Sequence, residues 1–138
     1  MTTTPDASGL TDFYGPFIHT YTREQAIADG VLVDVTATAK QAGFTCPVAL
    51  TAGAWAGAVA WTQTTGLQDE EGRLWDVLTM ARHAIARSSD ASERLAFRVL
   101  GVPNRARATT ARPTSLVIHA GPGDVGELVI TIMLPEED

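Results

Sequence analysis

The stretch DEEGRLWDVLTMARHAIARSSDASERLAFRVL, residues 69–100, carries the change of hydrophobic period on which the fold turns. Leu74, Trp75, Leu78, Ala81 and Ile85 recur along one face at helical spacing, which predicts an amphipathic helix from about Asp69 to Arg87. Asp69, Glu70 and Glu71 stand at its start and Arg82 and Arg87 toward its end, complementing the partial charges of the helix termini. After a polar break at Ser88 to Glu93 the period falls to two: Leu95, Phe97 and Val99 alternate with Ala96, Arg98 and Leu100, the pattern of a half-buried strand.

Downstream, Val102 to Pro113 is a Pro-flanked connection without period, and Leu116 to His119 and Leu128 to Leu134 read as strands around a Gly-rich turn. The C-terminal third is therefore expected to form a three-stranded antiparallel meander. Upstream, Thr22 with Gln25 is a capping-box pattern and Gly30 a stop, which predicts a short helix from Arg23 to Asp29. Val31, Leu32, Val33 and Val35 read as a strand, with Thr36 capping a second helix that ends at Gly43. Thr51 caps a third, from Ala52 to Thr62, expected to be the most buried. Gly53 and Gly57 share one face of it, which points to a tight helix crossing. The expected fold is α+β, with helices packed on a small, mainly antiparallel sheet that ends in the meander. Residues 1–16, rich in Thr, Ser, Asp and Gly, read as a disordered lead-in to a single domain over residues 17–138.

With 45% apolar and 19% charged residues the chain lies in the globular range, well away from compositions that stay disordered. Its one cysteine, Cys46, excludes an intramolecular disulfide and a Cys-based zinc site. No basic and apolar leader opens the chain, and its longest nearly apolar run, Cys46 to Trp61, is too short to span a bilayer and reads as a buried helix. The expectation is a cytoplasmic protein without a membrane partner. A net charge of −6 opposes non-specific attraction to nucleic acid. Against that background Arg94, Arg98, Arg105, Arg107 and Arg112 fall together with no acid among them.

Ile18-His19-Thr20-Tyr21-Thr22-Arg23 with Gln25-Ala26, Asp29 to Val35, Pro47 to Thr51, Gly72 to Leu78, and Gly121-Pro122-Gly123-Asp124 followed by Ile130-Thr131-Ile132-Met133-Leu134-Pro135 form a recurring pattern. In these residues the chain resembles an uncharacterised bacterial family borne by plasmids and other mobile elements. The resemblance implies a genomic setting and brings no catalytic residue. It leaves out residues 1–16 and the connection from Arg105 to Arg112.

Gly121-Pro122-Gly123-Asp124-Val125-Gly126 fits G-x-G-x-x-G literally, but a strand rather than a helix follows, so a hairpin turn is expected and not a phosphate cradle. His19, His83 and His119 lack metal-ligand spacing, and Cys46 before Pro47 reads as a small buried hydrophobe. Neither a metal nor a cofactor is expected. Trp55, Trp61 and Trp75 read as core rings that can also serve as stacking platforms. The binding candidates are Arg94, Arg105, Arg107 and Arg112, joined by Tyr21 and Arg23 from the N-terminal pattern. The expected function is that of a non-enzymatic accessory protein docking on a host or element-encoded protein, anti-defence activity being one version. Two alternatives stand beside it: a nucleic-acid binder using the Arg94–Arg112 stretch, and a small enzyme that gathers Tyr21, His19, Asp34 or Cys46.

Overall fold

A computed structural model of the protein describes residues 21–89 and 93–137. The expectations for the lead-in and for His19 lie outside the described residues. In chain order the elements are α1 (Arg23–Ala28), β1 (Leu32–Asp34), α2 (Thr36–Gln41), β2 (Val48–Thr51), α3 (Ala52–Ala58), α4 (Glu70–Arg87), β3 (Arg94–Gly101), β4 (Arg112–Pro122) and β5 (Leu128–Met133). The strands form one sheet in the order β1-β2-β5-β4-β3. Every pairing is antiparallel except that of β2 with β5, which is parallel. This is an α+β fold, and β3, β4 and β5 form the expected meander.

Local chemistry explains most of the helix boundaries. The Thr22 hydroxyl accepts from the Gln25 amide at 3.0 Å, while the Gln25 side chain accepts from the Thr22 amide at 2.9 Å. Both bonds satisfy donors that open α1. Gly30 follows at φ +79°, a conformation costly for any residue with a Cβ. Asp69 starts α4 by accepting from the Gly72 amide at 2.6 Å. Thr36, expected as a cap, is instead the first residue of α2, whose N-cap Val35 makes no side-chain cap bond. Its hydroxyl donates to Asp34 at 2.6 Å and accepts from the Val48 amide at 3.1 Å, tying α2 to the start of β2.

The run from Cys46 to Trp61 is not one helix. Val48, Ala49 and Leu50 are a strand with no exposure, paired on both sides and covered on both faces, so they show none of the alternation that marks a half-buried strand. Thr51 does cap α3, accepting from the Ala54 amide at 3.0 Å. The helix ends at Ala58 rather than Thr62, because the amides of Trp61 and Thr62 turn away to Glu70 and Asn104. The close approach at Gly53 is to the C-terminal turn and not to another helix: a Cβ there would lie 2.8 Å from Glu137 Oε2 and 3.0 Å from Leu134 Cδ1.

The main core lies on one face of the sheet. Leu50, Ile132, Leu116, Phe97 and Val99 meet Ala39 of α2, Ala54 and Ala58 of α3, and Leu74, Val77, Leu78, Ala81 and Ala84 of α4. The buried face of α4 is rotated from the expected one, leaving Trp75 43% and Ile85 39% exposed. α4 carries six buried residues and the shorter α3 two. Alternation along β5 sends Thr131 to the opposite face, where Arg23 of α1 reaches it.

Candidate functional site

The connection between β3 and β4 owes its shape to a buried cation. Arg73, on the core side of α4, is only 4% exposed. Its Nε donates to the Val59 carbonyl at 3.0 Å, and its Nη1 to the Val102 carbonyl at 2.6 Å and to Gln68 Oε1 at 2.9 Å. The same Gln68 oxygen accepts from the Val102 amide at 3.2 Å. The guanidinium stacks over Trp61, 5.3 Å from the ring centre. Burial pulls its pKa down, while Asp76 and Glu70 oppose that shift. One turn further, Asn104 Oδ1 accepts from the Thr62 amide at 3.0 Å and from Gln63 Nε2 at 3.0 Å. The segment after α3 and the segment after β3 are thus fastened to each other by charge-assisted and amide bonds.

On this frame sit the arginines. Arg105 donates its amide to the Pro103 carbonyl at 2.9 Å, and Arg107 adopts φ +70°, a left-handed conformation unusual for a side-chain-bearing residue. The turn brings Arg105, Arg107 and Arg112, all exposed, around a polar concavity of about 220 Å³ that they share with Thr109 and Thr110. Arg105 and Arg112 also border an adjoining hollow of about 270 Å³, where Arg73 and Asp76 form the floor with Gly57 and Gly101. Three exposed guanidinium groups, with the buried Arg73 behind them and Asp76 as the one carboxylate among the described lining residues, make this surface electropositive on a chain of net charge −6. Such a surface can hold carboxylates or phosphates bidentately.

Three of the six binding candidates converge, and three do not. Arg94 lies at the far end of β3, where Nη2 donates to the Pro135 carbonyl at 3.0 Å and Nη1 approaches Met133 Sδ at 3.9 Å. Arg23 is a structural clamp: its Nη1 and Nη2 donate to Thr131 Oγ1 and the Ile130 carbonyl, each at 2.8 Å. Asp124 in turn accepts from the Arg23 and Glu24 amides at 2.8 and 3.1 Å, giving α1 a second cap from the β4–β5 hairpin. The two ends of the recurring sequence pattern therefore touch, for a structural reason. Tyr21 donates to Asp29 Oδ2 at 2.6 Å, and this bond raises its phenol pKa, with smaller contributions from desolvation and from the charge of Asp29. It borders a separate hollow with Arg23 and Asp124 that shares no residue with the arginine surface.

Residues considered for chemistry are dispersed or already occupied. Cys46 is half-buried against the core, and burial pushes its thiol up although Arg23 opposes the shift. The Asp34 carboxylate accepts from Thr36. His83 is exposed on α4, and His119 sits half-buried on β4 opposite Arg94. Among the described residues no three His, Cys, Asp or Glu side chains gather as a metal site, and no helix is long and apolar enough to cross a membrane. The Gly121–Gly126 segment, expected as a hairpin turn, is the β4–β5 hairpin, with Gly126 at φ +86°. Sequence reasoning missed Arg73, Gln68 and Asn104. The one available signal was an arginine four residues before Val77 and so in line with the apolar stripe.

No curated protein and no solved structure matches the chain. The family described as "Family of unknown function (DUF6573)" matches residues 12–138, nearly its whole length, and the chain belongs to that family.

Proposed function

We propose that the chain is a non-enzymatic accessory protein of a mobile element which acts in the cytoplasm by docking on a protein partner through its arginine surface. The observation that carries this reading is the convergence of Arg105, Arg107 and Arg112 on one concave, acid-free turn braced from beneath by Arg73. An ordinary solvated loop has no need of a buried cation, a glutamine and an asparagine to fix its course. The partner face is acidic, by charge complementarity. Net charge −6 favours an acidic protein patch over nucleic acid, because the rest of the molecule repels a polyanion's extended backbone. Blocking a host defence complex is the version of this role that fits a mobile-element setting.

The test is affinity capture from a bacterial lysate with the tagged protein and with Arg105→Ala/Arg107→Ala/Arg112→Ala, each with and without nuclease. A stoichiometric protein retained after nuclease and lost with the triple variant supports docking. Capture abolished by nuclease transfers the surface to nucleic acid, and equal capture by both proteins refutes the arginine surface as the contact.

A further inference from the structure

We infer that the partner segment is an extended acidic peptide that adds as a strand to the open edge of β3. The inference rests on the docking role proposed above and specifies its form. β3 is the terminal strand of the sheet, and among the described residues nothing pairs with its outer edge. The hydrogen-bond pattern fixes which groups face outward. The Ala120 amide donates to the Glu93 carbonyl at 2.9 Å, and the register runs on without interruption from Arg94 opposite His119 to Gly101 opposite Arg112. Facing pairs in an antiparallel ladder alternate between exchanging both backbone bonds and exchanging none. Leu95, Phe97, Val99 and Gly101 therefore bond to β4, while Ala96, Arg98 and Leu100 turn their N–H and C=O groups to the open edge.

That edge is long, and no other described strand covers it. Eight residues make β3, and Ala96, Arg98 and Leu100 are exposed, Leu100 by 65%. The opposite edge strand, β1, has three residues. Soluble proteins blunt long edges because unpaired backbone groups template another strand, so one left open in this way invites strand addition. Beside it runs an apolar groove of about 490 Å³ between Thr79 and Met80 of α4, Val99 and Leu100 of β3, and Pro113 of β4. Every second side chain of an added strand can enter that groove.

Charge selects the occupant. Arg98 lines the groove, and its end near Leu100 meets the hollow bordered by Arg105 and Arg112, with Asp76 the only acid among the described residues bordering either. An acidic segment satisfies these cations, which a neutral one leaves without counter-charge. A second copy of this chain is a poor occupant, since joining two β3 edges sets the exposed Arg98 of one strand against a strand carrying the same cation.

The test uses the full chain, labelled with nitrogen-15, and a nine-residue synthetic peptide alternating Val or Leu with Glu; the same peptide with Lys for Glu is the control. The expected result is binding of the acidic peptide alone, with amide-exchange protection gained at Ala96, Arg98 and Leu100 and not at Phe97 or Val99. Ala96→Pro removes an outward donor and none used by the sheet, so it should leave the fold intact and weaken binding by about tenfold or more. No binding of the acidic peptide up to about 1 mM overturns the inference. So does binding that shifts Arg105 and Arg112 while the edge amides stay unprotected, an outcome that leaves the docking role standing. Loss of capture by the triple arginine variant, measured separately, decides that role.

Discussion

Replacing Arg73 with Ala should be among the most damaging single changes in the protein, for reasons that can be counted. The substitution withdraws the donors held by the Val59 and Val102 carbonyls, both bonds being buried, and leaves Gln68 Oε1 with one of its two donors. Each buried carbonyl left without a donor costs about 1–3 kcal/mol. Loss of the guanidinium stacked over Trp61 adds about 1 kcal/mol. Against this stands the relief of no longer burying a cation, which offsets part of the total. A net loss of about 3 kcal/mol results, or roughly 10 °C in melting temperature for a domain of this size. Arg73→Lys keeps the charge but cannot aim one planar fork at two separate carbonyls, so it should fall between wild type and Ala. Thermal unfolding followed by circular dichroism measures all three. Amide exchange should also rise across residues 102–111 in both variants while β5 stays protected. A melting temperature for Arg73→Ala within about 3 °C of wild type would refute the claim that this cation braces the arginine turn.

Other outcomes follow from single contacts. Asp124→Ala removes the acceptor of two amides that open α1, which should cost about 1–2 kcal/mol, read by urea unfolding, with the exchange increase confined to α1. Gly53→Ala should show no net gain in urea unfolding, because a helix-propensity benefit of about 1 kcal/mol is cancelled by the clash with Glu137 and Leu134; in a Glu137→Ala background, where only the Leu134 side chain has to give, the same change should be less costly. The Tyr21 phenol should ionise above its ordinary pKa, and Asp29→Ala should return it there; phenolate absorbance in a Tyr14→Phe background reads this directly. Since the folded-state pKa is raised, the bond's contribution is complete below the ordinary phenol range and disappears as pH climbs through the raised value.

Much of this fold was legible because its signals are local. The Thr22–Gln25 capping box, the helix opened by Asp69, and the alternation of Leu95, Phe97 and Val99 each lie within a few residues and appear where expected. β2 was hidden because Val48, Ala49 and Leu50 are buried on both faces, and a short all-apolar run has no period to separate strand from helix. The rotation of α4 was hidden by Arg73, a charged residue occupying a buried position that its type argues against. At the site, the charge cluster from Arg94 to Arg112 was visible, but which members converge was not. Arg94 and Arg112 stand at opposite ends of two paired strands, and only the ladder register shows it. The contacts of Asp124 with Arg23 and of Glu137 with Thr51 join residues 101 and 86 positions apart, which no local pattern encodes.

The central claim, that Arg105, Arg107 and Arg112 form the contact with an acidic partner, is tested most directly by calorimetry of the purified captured protein with wild type and with Arg105→Glu/Arg112→Glu, at low and at physiological salt. The account predicts an affinity that falls as salt rises and drops by about 100-fold or more on charge reversal, with the melting temperature of the variant unchanged. Affinity that is indifferent to both salt and charge reversal would contradict it.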